Sequence, residues 1–562
     1  VAKAPEQTEA QTQLGTLLLE MNDTNGFLNW HHQLPASAET HPDIWYLRGM
    51  FAISREEPRT AIRCLWEALR RDPDHRRGCY QLAQRLTLAG ESQRAKPFAD
   101  RFALLEEVGR LVTKGDDSSS NDINPETMLR IAQRMRTLGR LWEASAWFEY
   151  AQKRSNGAVK SDSEWQELKT RLTNETPLTL AEANPAGSAD FSHYPLPSWK
   201  PGSQSPPTSN ESSVDSKVVF QNVAQDVGLD FRYFNGADPS SGIARMFEFS
   251  GGGVAVLDYD GDLWPDLYLT QGCAWPPGTG QVLYRDRLYR NMAGHRFEDV
   301  TTEAGLGDDQ YSQGATVGDY NNDGFPDLLL GNIGANRLYQ NLGDGTFADV
   351  TDSANLHGEE WTSSCLIADL NHDSMPDLYC VNYLGGPGVF TRKCEQNGVP
   401  IQCPLHYFPS AQDRVFVNLG DGRFEDVTES WGVVLPNGKG LGIVAGDFDE
   451  TGRISLFIAN DDTPNFFLVP RTDHSTKGFS YSDDAVVSGL AFGDFGTAQS
   501  CMGVAAGDTN NDGLLDLYVT NFTNEHNSLC LQQPGVGFAD RARAAGLHMV
   551  TMREMGWGTQ FL

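Results

Sequence analysis

The stretch Asp258-Tyr-Asp260-Gly-Asp262-Leu-Trp264-Pro-Asp266 places side-chain oxygens at positions 1, 3, 5 and 9 of a nine-residue loop. Three more copies follow. They are Asp319-Tyr-Asn321-Asn-Asp323-Gly-Phe325-Pro-Asp327, Asp369-Leu-Asn371-His-Asp373-Ser-Met375-Pro-Asp377 and Asp508-Thr-Asn510-Asn-Asp512-Gly-Leu514-Leu-Asp516. This is the ligand set of a hard cation, since Ca²⁺ takes six to eight oxygens from carboxylates, amides and carbonyls. Position 7 (Trp264, Phe325, Met375, Leu514) has no side-chain oxygen and is expected to offer its backbone carbonyl. Short apolar stretches precede the loops, as in Val254-Ala-Val-Leu257, and strand-like ones follow, as in Leu267-Tyr-Leu-Thr270. Each loop therefore reads as the turn of a β-hairpin.

An EF-hand begins in the same way, but it needs a Glu at position 12 and flanking helices. Here the acidic ladder closes at position 9 and strands flank it. Asp, Asn and Gly also suit turns that hold no metal; four copies with one ligand spacing favour Ca²⁺. A fifth copy, Asp447-Phe-Asp449-Glu-Thr451-Gly-Arg453-Ile-Ser455, keeps positions 1 and 3 but has hydroxyls at 5 and 9. It is expected to hold an intact blade and a weak or empty site at Asp447, Asp449 and Thr451. The expectation is thus four to five Ca²⁺ sites.

A second phrase recurs downstream of the loops. It reads Arg287-Leu-Tyr-Arg-Asn291 with Phe297-Glu-Asp-Val-Thr301, then Arg337-Leu-Tyr-Gln-Asn341 with Phe347-Ala-Asp-Val-Thr351. The third copy is Arg414-Val-Phe-Val-Asn418 with Phe424-Glu-Asp-Val-Thr428, and a weaker fourth holds Leu529-Cys-Leu531 and Phe538-Ala-Asp540. Gly343-Asp-Gly345 and Gly420-Asp-Gly422 between the pieces are hairpin turns. First-loop aspartates at 258, 319, 369, 447 and 508 are 61, 50, 78 and 61 residues apart. Four short strands at such a period predict a β-propeller.

These residues resemble the FG-GAP/VCBS repeats of α-integrin heads. They resemble more closely the cartilage acidic protein family, whose repeats often precede an ASPIC/UnbV domain. The resemblance covers about residues 218–562. It implies a Ca²⁺-bound propeller, usually seven-bladed, in a secreted or surface protein, with about five blades plus one strand in this chain.

Residues 42–73 show the tetratricopeptide pattern of small residues between two helices, with Gly49, Ala52, Ala61, Leu65, Ala68 and Pro73. A second unit follows with Cys79, Ala83, Ala95 and Phe102, and a third from about Pro125 with Ala132, Ala144 and Phe148. Lys114–Asn121 reads as an exposed loop. The fold class expected is therefore multidomain, α plus all-β: a tetratricopeptide-like α-solenoid over 1–173, a Pro/Ser-rich linker over 174–216, either ordered by contact or flexible, and a propeller over 217–562.

The net charge of −31 argues against a nucleic-acid partner, and no basic patch offsets it. Thirteen of the acids are the aspartates of the four full loops. No apolar run is long enough to span a membrane. Cys394 and Cys403 bracket eight residues in the insertion before the Asp447 loop and read as a disulfide; zinc with His406 is the competing reading. Cys64, Cys79, Cys365 and Cys380 read as buried thiols. No nucleophile elbow, zinc-protease helix, phosphate loop or haem motif is present, so no catalytic residue is assigned.

Together these readings predict a calcium-stabilised extracellular or periplasmic propeller with a helical domain. It is expected to be a binding and assembly module that takes a protein partner on the helical repeats, the propeller face or both; a plain helical spacer is the competing reading of the repeats. The alternatives are an enzyme or enzyme subunit holding substrate at the central face, and a structural component of a larger surface complex. Val1 in place of Met suggests a processed start. Val219-Phe-Gln-Asn-Val223 and Val227-Gly-Leu229 match the fourth-strand phrase, and Gly556–Leu562 matches a first strand. Further blades from a continuation or a second polypeptide are expected to complete the ring.

Overall fold

The computed structural model describes all residues except 1–6, 117–122, 156–162, 201–218, 239, 241–244, 278–283, 474–477, 495, 535–536 and 562. The chain divides into two compact units, one drawn mainly from Val1–Lys217 and the other from Val218–Leu562.

The first unit is helical: α1 (Thr8–Glu20), α2 (Thr24–His32), α3 (Pro42–Ser54), α4 (Pro58–Arg71), α5 (Arg76–Leu88), α6 (Ser92–Asp116), α7 (Pro125–Thr137), α8 (Leu141–Arg154) and α9 (Ser163–Arg171). Proline at the first turn of α3, α4 and α7 suits a position whose N–H has no intrahelical partner. Helices pack in consecutive pairs: α3 on α4, α5 on α6 and α7 on α8. Gly49 marks one crossing, because a Cβ there would lie 2.8 Å from the Leu65 side chain. The loop expected over Lys114–Asn121 begins inside α6, and its residues 117–121 lie outside the described residues.

The stretch expected as a linker is, up to Lys200, tied to the helices. Arg101 donates to Ala183 O (2.7 Å), Trp66 Nε1 to Ala186 O (2.9 Å), and Trp199 Nε1 reaches the Glu57 carboxylate (2.9 Å). Phe191 is fully buried and sits edge-on to Trp66. A few large apolar residues in a Pro/Ser background thus order this segment by contact. The remainder of that stretch, 201–216, lies outside the described residues.

The second unit holds five four-stranded antiparallel sheets, each a blade. Blade 1 is β1 (Val254–Leu257), β2 (Asp266–Leu269), β3 (Arg287–Asn291) and β4 (Phe297–Asp299). Blade 2 is β5 (Tyr311–Gly318), β6 (Asp327–Ile333), β7 (Arg337–Asn341) and β8 (Phe347–Asp349). Blade 3 is β9 (Thr362–Ala368), β10 (Asp377–Asn382), β13 (Arg414–Asn418) and β14 (Phe424–Asp426). Its insertion forms a separate hairpin, β11 (Cys394–Gln396) and β12 (Val399–Ile401). Blade 4 is β15 (Gly440–Gly446), β16 (Ser455–Asn460), β17 (Phe466–Asp473) and β18 (Gly478–Asp483). Blade 5 is β19 (Cys501–Gly507), β20 (Asp516–Asn521), β21 (Ser528–Gln532) and β22 (Phe538–Asp540). The chain is therefore multidomain, a helical region followed by a five-bladed propeller region.

Alternation along each strand divides its side chains between two neighbouring blades. Leu328 and Leu330 of β6 join the cluster with Ala255, Leu257 and Leu288 of blade 1. Leu329 between them faces the other way, with Leu378, Cys380 and Phe416 of blade 3. The blades β1, β5, β9, β15 and β19 head lie side by side in that order.

Both ends of this unit repeat inter-blade contacts. Phe347 N donates to Ala304 O (2.8 Å) across blades 1 and 2, and Phe297 N donates likewise to Val227 O (2.6 Å). Thr270 Oγ1 meets Gln313 O of the next first strand (3.5 Å), and Thr520 Oγ1 meets Trp557 O (2.6 Å). Val227–Leu229 thus stands to blade 1 as Ala304–Leu306 stands to blade 2, and the segment at Trp557 lies where a further first strand would. Val219–Val223, expected as a fourth strand, has no ladder partner among the described residues.

Candidate metal-binding loops

In every blade the residue before loop position 1 pairs across the ladder with position 9: Leu257 with Asp266, Gly318 with Asp327, Ala368 with Asp377, Gly446 with Ser455 and Gly507 with Asp516. Eight residues therefore turn between two fixed strand ends. Positions 4 and 6 take left-handed backbone in all five loops, as in Asn322 (φ 58°) and Gly324 (φ 91°). Leu263 (φ 69°) and Ser374 (φ 72°) do so without the freedom of glycine.

This path turns positions 1, 3 and 5 toward one another. In the loop of blade 2, Asp319 Oδ1 accepts from Asp323 N (3.0 Å) and Oδ2 from Gly324 N (2.8 Å). Asn321 Oδ1 also accepts from Asp323 N (3.0 Å), and Asp323 Oδ1 accepts from Phe325 N (3.0 Å). Asp369, Asn371, Asp373 and Met375 repeat the pattern, as do Asp508, Asn510, Asp512 and Leu514. In blade 1 one carboxylate oxygen from each of Asp258, Asp260 and Asp262 lies within 4.8 Å of the other two. The Gly513 N–H, with other loop amides, holds the Asp508 carboxyl below the usual range.

Position 9 is different. Asp266, Asp327, Asp377 and Asp516 are fully buried, and each uses both oxygens for backbone. Asp327 accepts from Tyr320 N (3.1 Å) and Asn341 N (2.8 Å); Asp377 accepts from Leu370 N (3.1 Å) and Asn418 N (2.9 Å). Burial pushes Asp266 up to about 6, and Asp327 and Asp377 up to about 7, against the pull of those amides. Each oxygen keeps a second lone pair for a cation, and a divalent ion would offset the charge that burial disfavours.

Two features set loops apart. Arg290 lies across the first, with Nε 2.6 Å from Asp260 Oδ2 and Nη2 3.1 Å from Asp262 Oδ2. In blade 4, Asp447 keeps its two backbone bonds, but Thr451 turns its hydroxyl onto Asp449 (2.5 Å) and Ser455 Oγ is buried without a partner. The oxygen sets at Asp319, Asp369 and Asp508 fit a hard cation, which would neutralise crowded carboxylates. The set at Asp447 fits poorly.

The repeat holds further residues that the spacing of acids did not single out. Asn341 Nδ2 donates to Tyr259 O in the preceding blade's loop (2.8 Å) and to Pro326 O of its own (3.3 Å). Asn418 makes the same pair of contacts with Tyr320 O and Pro376 O, and Gln532 takes the role toward Phe448 O. The residue before each third strand is Asp or Asn and accepts a backbone N–H at, or just past, the end of the second strand. The pairs are Asp286 with Gln271 N, Asn336 with Asn332 N, Asp413 with Asn382 N, Asn465 with Asn460 N and Asn527 with Asn521 N. A signal was available, since Asp or Asn precedes Arg287, Arg337 and Arg414 alike. Position 7 also has a packing role, because Trp264 and Phe325 lie over the hairpin glycines Gly294 and Gly343.

Cys394 and Cys403 are joined to each other, so the competing zinc set with His406 is not formed. Cys64, Cys79, Cys365 and Cys380 are buried free thiols. No helix among the described residues is long and apolar enough to cross a membrane.

The model of the FG-GAP-like repeat matches residues 258–330 and 319–380. No curated protein matches. Among solved structures, an Agrocybe aegerita lectin that recognises non-reducing terminal N-acetylglucosamine is 15% identical over 51% of this chain and 64% of its own, with a TM-score of 0.30. The pore of the Photorhabdus luminescens Tc holotoxin is 18% identical over 51% of this chain and 12% of its own, at 0.26. MamA is 15% identical over 28% of this chain and 82% of its own, at 0.18. The chain thus spans less than two thirds of the length of the lectin chain. By family match and by blade geometry, the repeats over residues 258–380 are FG-GAP-like, on an integrin-α-like propeller.

Proposed function

We propose that this protein is a calcium-stabilised binding and assembly module that works outside the cytoplasm, secreted, at a cell surface or in a periplasm. The observation that carries the reading is the coupling of each loop to the next blade. Asn341 and Asn418 hold the loops beginning at Asp258 and Asp319, so a cation that stiffens a loop also stiffens a blade interface. The ligands are Asp319, Asn321, Asp323 and Asp327 with their equivalents in blades 1, 3 and 5. With millimolar Ca²⁺ and a site ten-fold tighter, each loop adds about 1.4 kcal/mol. The Cys394–Cys403 disulfide supports an oxidising compartment.

A protein partner is taken by the propeller, the tetratricopeptide-like helices or both. Val254 and Val256 are 58% and 57% exposed on the side of β1 away from blade 2, a surface that suits a further blade. The test is thermal unfolding in 1 mM Ca²⁺ and in excess chelator, with wild type and Asp323→Ala. The reading expects chelation to lower the melting midpoint. It expects Asp323→Ala to lose part of that calcium response while matching wild type in chelator. Equal loss under both conditions, or no calcium response in wild type, would count against it.

A further inference from the structure

Each metal loop joins the end of a first strand to the start of a second, so the opposite face is formed by first-strand starts and second-strand ends. There, a cavity of about 390 Å³ opens between the Met246–Ser250 segment that precedes β1, blades 3, 4 and 5 and the segment at Trp557. Its volume falls in the range of small-molecule sites. Around it gather four of the exposed large apolar side chains: Phe249 (49% exposed), Phe522 (40%), Met555 (49%) and Trp557 (37%). Isolated exposed apolar residues are ordinary, but four around one cavity mark a binding surface.

The polar lining is acidic. Asp461 and Asp462 follow β16 and reach the cavity, and among the described residues no Lys or Arg lines it. Asp461 is buried and accepts from Tyr383 OH (2.5 Å). Behind Ser500, which also lines the cavity, Glu525 accepts the Ser500 N–H (2.7 Å). Burial raises the pKa of Asp461 and of Glu525, and charge from Asp462 adds to both. Facing these carboxylates are the Lys439 ammonium, which donates to Leu405 O (3.3 Å), and His526 beside Glu525. Two carboxylates thus line a space that Phe249, Phe522 and Trp557 also line, with a third, Glu525, behind Ser500.

We propose that this cavity binds a small organic cation with an apolar body, its ammonium held between Asp461 and Asp462 and its body against Trp557, Phe522 and Phe249. Aromatic faces and carboxylates attract the same charge, and both act more strongly where water is excluded. A neutral molecule of the same shape gains only the apolar contact; an anion is repelled. The site is independent of the metal loops, so it stands or falls apart from the calcium reading.

The test is calorimetric titration of the whole chain with phenethylammonium and its neutral isostere 2-phenylethanol. Saturable binding of the cation is expected, with the alcohol weaker by about ten-fold or more. Asp462→Asn and Trp557→Ala alter exposed side chains and should each weaken the cation about five-fold or more without moving the unfolding midpoint. Equal affinity for the alcohol, absence of saturation at millimolar cation, or an unchanged Asp462→Asn affinity would each overturn the proposal.

Discussion

Arg290 sets a guanidinium against Asp260 and Asp262, where the matching places in blades 2, 3 and 5 hold Gln340, Val417 and Leu531. The loop with the most aspartates therefore carries its own counter-charge, and a metal there must displace it. Arg290→Gln, which copies blade 2, is expected to tighten Ca²⁺ at this loop by about three- to ten-fold. Titration of a protein whose other loops carry Asp323→Ala, Asp373→Ala and Asp512→Ala would read it, and weaker binding would refute the competition. Asp413 offers a pH test away from the loops. It is buried, accepts from Tyr379 OH and Asn382 N, and its pKa is pushed up to about 7 by burial. A carboxyl raised in the folded state contributes stability below its unfolded value near 3.8, and that stability is lost as pH rises through about 7. Asp413→Asn keeps an acceptor for Asn382 and no charge, so it should gain on wild type between pH 5 and pH 8 in urea midpoints. A difference independent of pH would show that burial does not shift this group.

At the scale of the element, the turn depends on two left-handed residues that the ligand spacing does not reveal. Leu263 adopts φ 69° while 88% exposed, so its side chain contributes little packing in return. Leu263→Gly is expected to stabilise the protein by about 0.5–1 kcal/mol, the left-handed strain less the entropy of glycine. An unfolding midpoint that falls on this change would mean the side chain holds contacts that outweigh strain. The hairpins, their acidic turns and the Gly-Asp-Gly bends were legible because side-chain chemistry recurs there at one spacing. The Asp or Asn before each third strand was not singled out, although it recurs before Arg287, Arg337 and Arg414, because a residue that caps a backbone N–H, as Asp286, Asn336 and Asn465 do, leaves no alternation pattern. The docking of residues 179–199 was legible only as one of two alternatives, contact order against flexibility. Its anchors Ala186, Phe191 and Trp199 are scattered through a composition that reads as linker, and only the helices they meet make them apolar contacts.

Across the whole molecule, the propeller region is a series of interfaces that share loops, strands and one repeated amide. Asn341 joins two carbonyls from adjacent blades, and both lose their donor in Asn341→Ala. That change should lower stability by about 1–3 kcal/mol and blunt the response to calcium, since loop and neighbour are then uncoupled. A full calcium response in a destabilised Asn341→Ala protein would separate the loops from blade cohesion. The most direct test of the central claim is anomalous diffraction from crystals grown in calcium, which places each ion and measures its occupancy. High occupancy is predicted in the loops beginning at Asp319, Asp369 and Asp508, lower occupancy at Asp258 beside Arg290, and the least at Asp447. No anomalous peak within any loop, or a peak at Asp447 stronger than at the other four, would contradict it.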